Sequence, residues 1–146
     1  MTAPTFEAPA TFSDERLGVR IWLFDQSATL FDQMTSTELT PALASFLTRH
    51  VEPEVQRRWV SAGRKVTYVH DWRSFTSYDA RARLELIEWG RAARPHMLKT
   101  TMCLATAASP FLRIAAATGI TVLKAVGIPV EQVDSLDAII AELNKK

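Results

Sequence analysis

Lys65-Val66-Thr67-Tyr68-Val69-His70-Asp71-Trp72-Arg73-Ser74-Phe75-Thr76-Ser77-Tyr78-Asp79 is the stretch whose reading decides the fold. Residues 65–70 read as a short strand that ends at Asp71. A loop over 72–78 follows, and Asp79 opens a helix that runs to Arg94 before Pro95 stops it. A strand, an exposed loop and a capped helix in that order belong to the edge of an α/β domain where ligands and partners dock, beyond the carboxyl ends of the strands.

Working outward, the helix after Asp79 repeats Ala82, Leu86, Trp89 and Ala93 at helical spacing. Met97–Leu104 reads as a buried strand. Ser109 before Pro110 predicts an N-cap with a first-turn proline, and Phe111, Ile114, Ala115, Thr118, Val122 and Ala125 form an apolar stripe before Gly127. Residues 128–133 predict a short edge strand, because Pro129 lacks a donor. Residues 134–143 predict a capped amphipathic helix. Upstream, Val19–Phe24 reads as a strand that continues through Ser27–Leu30, with an edge strand near Thr11–Asp14 ahead of it. The stretch from Asp32 to Thr40 carries N-cap candidates, and Leu39, Leu43, Phe46 and Leu47 share one helical face. Gly63 predicts the C-cap of that helical region. Alternating strands and helices imply crossover connections, hence one α/β domain over 17–146 with a mostly parallel or mixed sheet of four to five strands and about four helices. Residues 1–16 read as a disordered tail.

The chain has 146 residues, 47% hydrophobic and 23% charged, which suits one ordinary globular core. A net charge of +1 gives no electrostatic case for nucleic acid. Arg113 and Lys124 interrupt the longest apolar run, which argues against membrane insertion. The single Cys103 excludes an intrachain disulfide and reads as a buried core thiol; with no signal peptide evident, it points to a reducing, cytoplasmic setting.

No metal-ligand spacing, glycine-rich phosphate loop or nucleophile elbow is present, so the reading names no cofactor, metal or catalytic residue and expects a non-enzyme. His70 and Asp71 point to opposite faces of their strand and do not form a pair with each other. His50 and His96 read as isolated histidines at helix or loop ends. Asp79 reads chiefly as an N-cap that also faces solvent. Trp72, Phe75 and Tyr78, with Arg73 and Arg81 beside them, are the residue types that dominate interfaces; the competing reading is that the aromatics cover the open end of the sheet.

The element order, the eight-residue spacing of Asp71 and Asp79, and the closing Pro129-Val130-Glu131-Gln132-Val133-Asp134-Ser135-Leu136-Asp137 resemble the STAS fold of sulphate transporters and anti-sigma-factor antagonists. The resemblance covers about residues 17–143. It implies a divergent bacterial STAS-like module acting in regulation and protein interaction. That family places a phosphate-accepting Ser in the turn after the second aspartate; here Arg81 stands at that position and accepts none. On this reading a protein partner, regulatory or kinase-type, docks on Trp72, Arg73, Phe75, Thr76, Ser77, Tyr78, Asp79 and Arg81, with a homodimer as a further assembly. The alternative is a small-molecule or lipid-binding domain, suggested by the apolar run 111–130 and by four Met and four Trp residues.

Overall fold

The computed structural model describes residues 6–105 and 110–145. Its amino-terminal part is a meander. β1 (Phe12–Asp14), β2 (Val19–Phe24) and β3 (Thr29–Met34) pair antiparallel in succession. The turn between β1 and β2 needs Gly18. Its φ of +72° suits a residue without Cβ, and an added Cβ would lie 2.6 Å from the Ser36 amide nitrogen. The Gly18 carbonyl in turn accepts from Thr35 and Ser36 at 2.8 and 3.2 Å.

Past the meander the chain crosses over. β4 (Glu38–Leu39) leads to Thr40, whose hydroxyl accepts from Leu43 N and caps α1 (Pro41–Phe46). A π-turn at Leu47–Val51 carries α1 into α2 (Glu52–Arg58), so the two run on as one helical unit. Pro53 explains the wide turn, since it has no N–H to return to the preceding turn. A 3₁₀ turn ends at Gly63, in the left-handed conformation expected of a C-cap. Then come β5 (Val66–Trp72), β6 (Ser77–Tyr78), α3 (Ala80–Ala93), β7 (Met97–Leu104), α4 (Pro110–Ala125), β8 (Val130–Val133) and α5 (Asp137–Asn144).

The molecule is a single α/β domain with a mixed, mostly parallel six-stranded sheet ordered β1-β2-β3-β5-β7-β8, and a separate parallel pair β4-β6. β3, β5, β7 and β8 are parallel to one another. Three successive crossovers step across the sheet in one direction, so right-handed connections put α1–α2, α3 and α4 on one face. There Leu43, Val55, Trp59, Ala82 and Ile120 pack against Ile21, Leu30, Met34, Tyr68 and Met102. The other face is covered by α5 and by the segment before β1.

Four sequence expectations change. The sheet is mixed and mostly parallel as expected and has the expected edge strand at Phe12–Asp14, but it reaches six strands because the segment read as a continuation of Val19–Phe24 turns back and runs from Thr29 to Met34 as a strand of its own. Residues 6–16 are not a disordered tail: Phe6 packs its ring 5.0 Å from those of Trp22 and Phe31, and Trp22 Nε1 donates to Ala8 O at 3.1 Å. The stripe on α4 faces outward, with Ile114 66% and Val122 40% exposed, whereas Ile120 is buried. Phe111 and Ala115 lie outside the described side chains, and the Ser109 cap lies outside the described residues. Finally, α5 starts at Asp137 without a capping side chain at Leu136; Ser135 Oγ accepts from Asp137 N at 3.2 Å just ahead of it.

Candidate functional site

The loop after β5 is built from residues that alternate between interior and surface. Trp72 is 8% exposed, and its indole Nε1 donates to Asp32 Oδ1 at 3.0 Å. Phe75 is fully buried, its ring 5.4 Å from Trp72 and 5.6 Å from Tyr78 in edge-on contacts. Tyr78 is half-buried, and burial raises its hydroxyl pKa. The expectation that Trp72 and Phe75 offer themselves to a partner is therefore corrected: they close the open end of the sheet, where removal from water stabilises them most.

What remains on the surface is polar. Arg73 reaches back to the fully buried Asp71 with two parallel bonds, Nε to Oδ1 at 2.8 Å and Nη2 to Oδ2 at 2.9 Å. That pairing holds the guanidinium pKa above its usual value. Thr76, Ser77 and Arg81 are exposed. Asp79 Oδ1 accepts from the amides of Arg81 and Ala82 at 2.9 and 3.0 Å, so it is an N-cap. The loop is pinned from below: Thr76 N donates to Thr37 O at 2.7 Å and Asp79 N to Leu39 O at 3.0 Å.

Two apolar side chains extend this surface beyond the predicted set. Leu84, the fifth residue of α3, is 57% exposed; Ile114, the fifth of α4, is exposed as well. Both helices start at the carboxyl ends of their strands and run parallel. They flank a cleft of about 120 Å³ lined by Tyr78, Arg83, Ile87, Gly119, Ile120 and Leu123. Leu84 and Ile114 thus occupy equivalent turns of neighbouring helices, at the same end of the sheet as the loop. The sequence places Ile114 in the apolar stripe of its helix, but periodicity alone does not say which side of the helix faces the sheet.

A second group lies inside the helical face and was not legible from spacing. Asp32 and His70 are register partners on β3 and β5, and His70 Nδ1 lies 2.5 Å from Asp32 Oδ2. Asp32 thereby accepts from both His70 and Trp72. With Asp32 as acceptor, the ring proton sits on Nδ1. Nε2 has no partner among the described residues. A turn deeper, the Glu52 carboxylate accepts from Tyr68 Oη at 3.2 Å, from Gln56 Nε2 at 3.0 Å and stands 3.2 Å from His96 Nε2. Burial raises the Glu52 pKa above 4.5, and the hydrogen bonds from Gln56, His96 and Tyr68 offset only part of that. The Tyr68 hydroxyl pKa is raised by burial and by the carboxylate beside it. His96 is therefore not the isolated histidine the sequence suggests; it closes a buried polar cluster.

On the far side of the sheet Cys103 is buried and free, as its apolar run predicts, and desolvation raises its thiol pKa. Among the described residues no helix is long and apolar enough to cross a membrane. Comparison with protein-family models, with curated proteins and with solved structures finds no match to this chain.

Proposed function

We propose that this chain is a non-enzymatic, STAS-like regulatory module that docks a protein partner at the carboxyl end of its sheet. The observation that carries this reading is the exposure of Leu84 and Ile114 in matching turns of α3 and α4, with Leu84 one helical turn after the exposed Arg81, and with Thr76 and Ser77 exposed in the loop before it. Large apolar side chains held in water beside an arginine are what an interface core and its rim require. The rigid backing of the loop on Thr37 and Leu39 supports the same reading, because a preorganised surface loses little entropy on binding. The partner that fits presents an apolar anchor to Leu84 and Ile114 and a carboxylate to Arg81. Compared with the sequence expectation, the surface moves from the aromatics onto the two helices, while Thr76, Ser77, Tyr78 and Arg81 stay at its margin.

Affinity capture tests this with three purified baits: wild type, the double variant Arg81→Glu/Leu84→Glu, and Arg20→Glu on the exposed side of β2. The expected result is a partner held by wild type and by Arg20→Glu and lost by the double variant. Identical capture by all three baits would sink this surface. A folded, monodisperse wild type that captures nothing would sink the interaction reading itself.

A further inference from the structure

Beneath α3 the helical face holds a partly open cavity of about 70 Å³, bounded by Asp32, Glu52, Tyr68, His70, Trp89 and Met97 among others. It shares Trp72, Leu86, Met102 and Leu123 with the cleft of about 120 Å³ between α3 and α4. A space of roughly 150 Å³ is enough to take one benzene ring. The cavity at His70 alone is about half of that; only together with the adjoining cleft, reached past the shared Trp72, Leu86, Met102 and Leu123, does the place come into the size class of a single small ring or a short aliphatic chain.

The chemistry of the walls narrows the occupant. Leu30, Leu47, Val51, Met102 and Leu123 supply apolar surface. Both carboxylates are already engaged, Asp32 by His70 and Trp72, Glu52 by Tyr68, Gln56 and His96. An ion entering here would lose its hydration with no free counter-charge to meet it. His70 is different. It is 7% exposed and fixed in orientation by Asp32, and its Nε2 has no partner among the described residues. A hydroxyl satisfies that nitrogen in either protonation state, as donor to the bare lone pair or as acceptor from N–H.

From these features we infer that the space between the sheet and α3/α4 is a binding site for a small uncharged molecule with an apolar body and one hydroxyl, held at His70 Nε2. The site opens into the cleft that the docking surface flanks, but its polar anchor lies inside the helical face and the inference stands whether or not that surface binds a protein. Met97, Met102 and Leu123 line it with flexible side chains that adapt to a guest.

Phenol, benzene, benzoate and benzylammonium are the probes, titrated into the full chain while tryptophan fluorescence and thermal midpoint are followed. Trp72 and Trp89 both line the site and report directly. Saturable binding of phenol is expected, about tenfold tighter than benzene for one added hydrogen bond, with both ions weaker than phenol by at least that factor. His70→Asn keeps a donor near the Nδ1 position and deletes Nε2, so it should lose the preference for phenol over benzene. Wild type also carries a test that no variant's misfolding can spoil: the ¹⁵N resonance of His70 Nε2 should move on phenol addition, and Nδ1 much less. Absence of saturable binding overturns the inference, as do equal affinities for phenol and benzene in wild type, tighter binding of either ion, or an unmoved Nε2 resonance.

Discussion

Glu52 holds its proton more tightly in the folded chain than in the unfolded one, because burial raises its pKa and three hydrogen-bond partners only partly counter it. The sign follows by linkage. A carboxyl with a raised folded value contributes most below its unfolded value near 4.5, and that contribution is lost as pH climbs through the folded value. Glu52→Gln keeps an acceptor for Tyr68 and cannot titrate. Urea unfolding of both proteins from about pH 4 to about pH 7 should show the stability of wild type relative to the variant declining as pH rises. A flat difference would mean that the cluster does not sense pH through this residue. Asp32 shows why such residues are hard to find in a sequence. It stands in a run that reads as a turn and a cap, and its purpose becomes visible only with His70 and Trp72, about forty residues on, packed against it.

Among the elements, α3 and β7 were legible almost to the residue, because Asp79 and Pro95 mark their limits by local chemistry; β5 and β8 were legible to within two residues, and the short strand β6 inside the expected loop was not legible. The Asp79 cap is the clearest case. Asp79→Ala should destabilise the fold by about 1 kcal/mol and Asp79→Ser by less, as read by denaturant midpoints. β3 was only half legible. Its buried Asp32 and Gln33 break the pattern of an apolar strand, so the sequence shows a strand end where the sheet continues. For α4 the period was right and the face was wrong: a helix apolar on several sides has a legible spacing and an ambiguous orientation. The same kind of ambiguity holds for the loop before α3. Aromatics in a loop look alike whether they meet a partner or plug a sheet end, and at Trp72 and Phe75 they do the second.

At the scale of the whole molecule the two faces of the sheet are unequal. A layer of three helical units shields one; α5 and the segment before β1 shield the other. Phe6 matters more than its place near the chain start suggests, with ring centroids 5.0–5.1 Å from those of Trp22, Phe24 and Phe31. Phe6→Ala should reduce stability by about 1–2 kcal/mol, and the emission of Trp22 should shift as water reaches it; calorimetry and fluorescence check this together. The spatial order of the main sheet, β1-β2-β3-β5-β7-β8, is also the order of its strands along the chain. Every new strand therefore docks beside the one made just before it, with no earlier gap to fill. During synthesis the sheet can accrete from one edge as the chain emerges, and the only side awaiting a neighbour is always the newest.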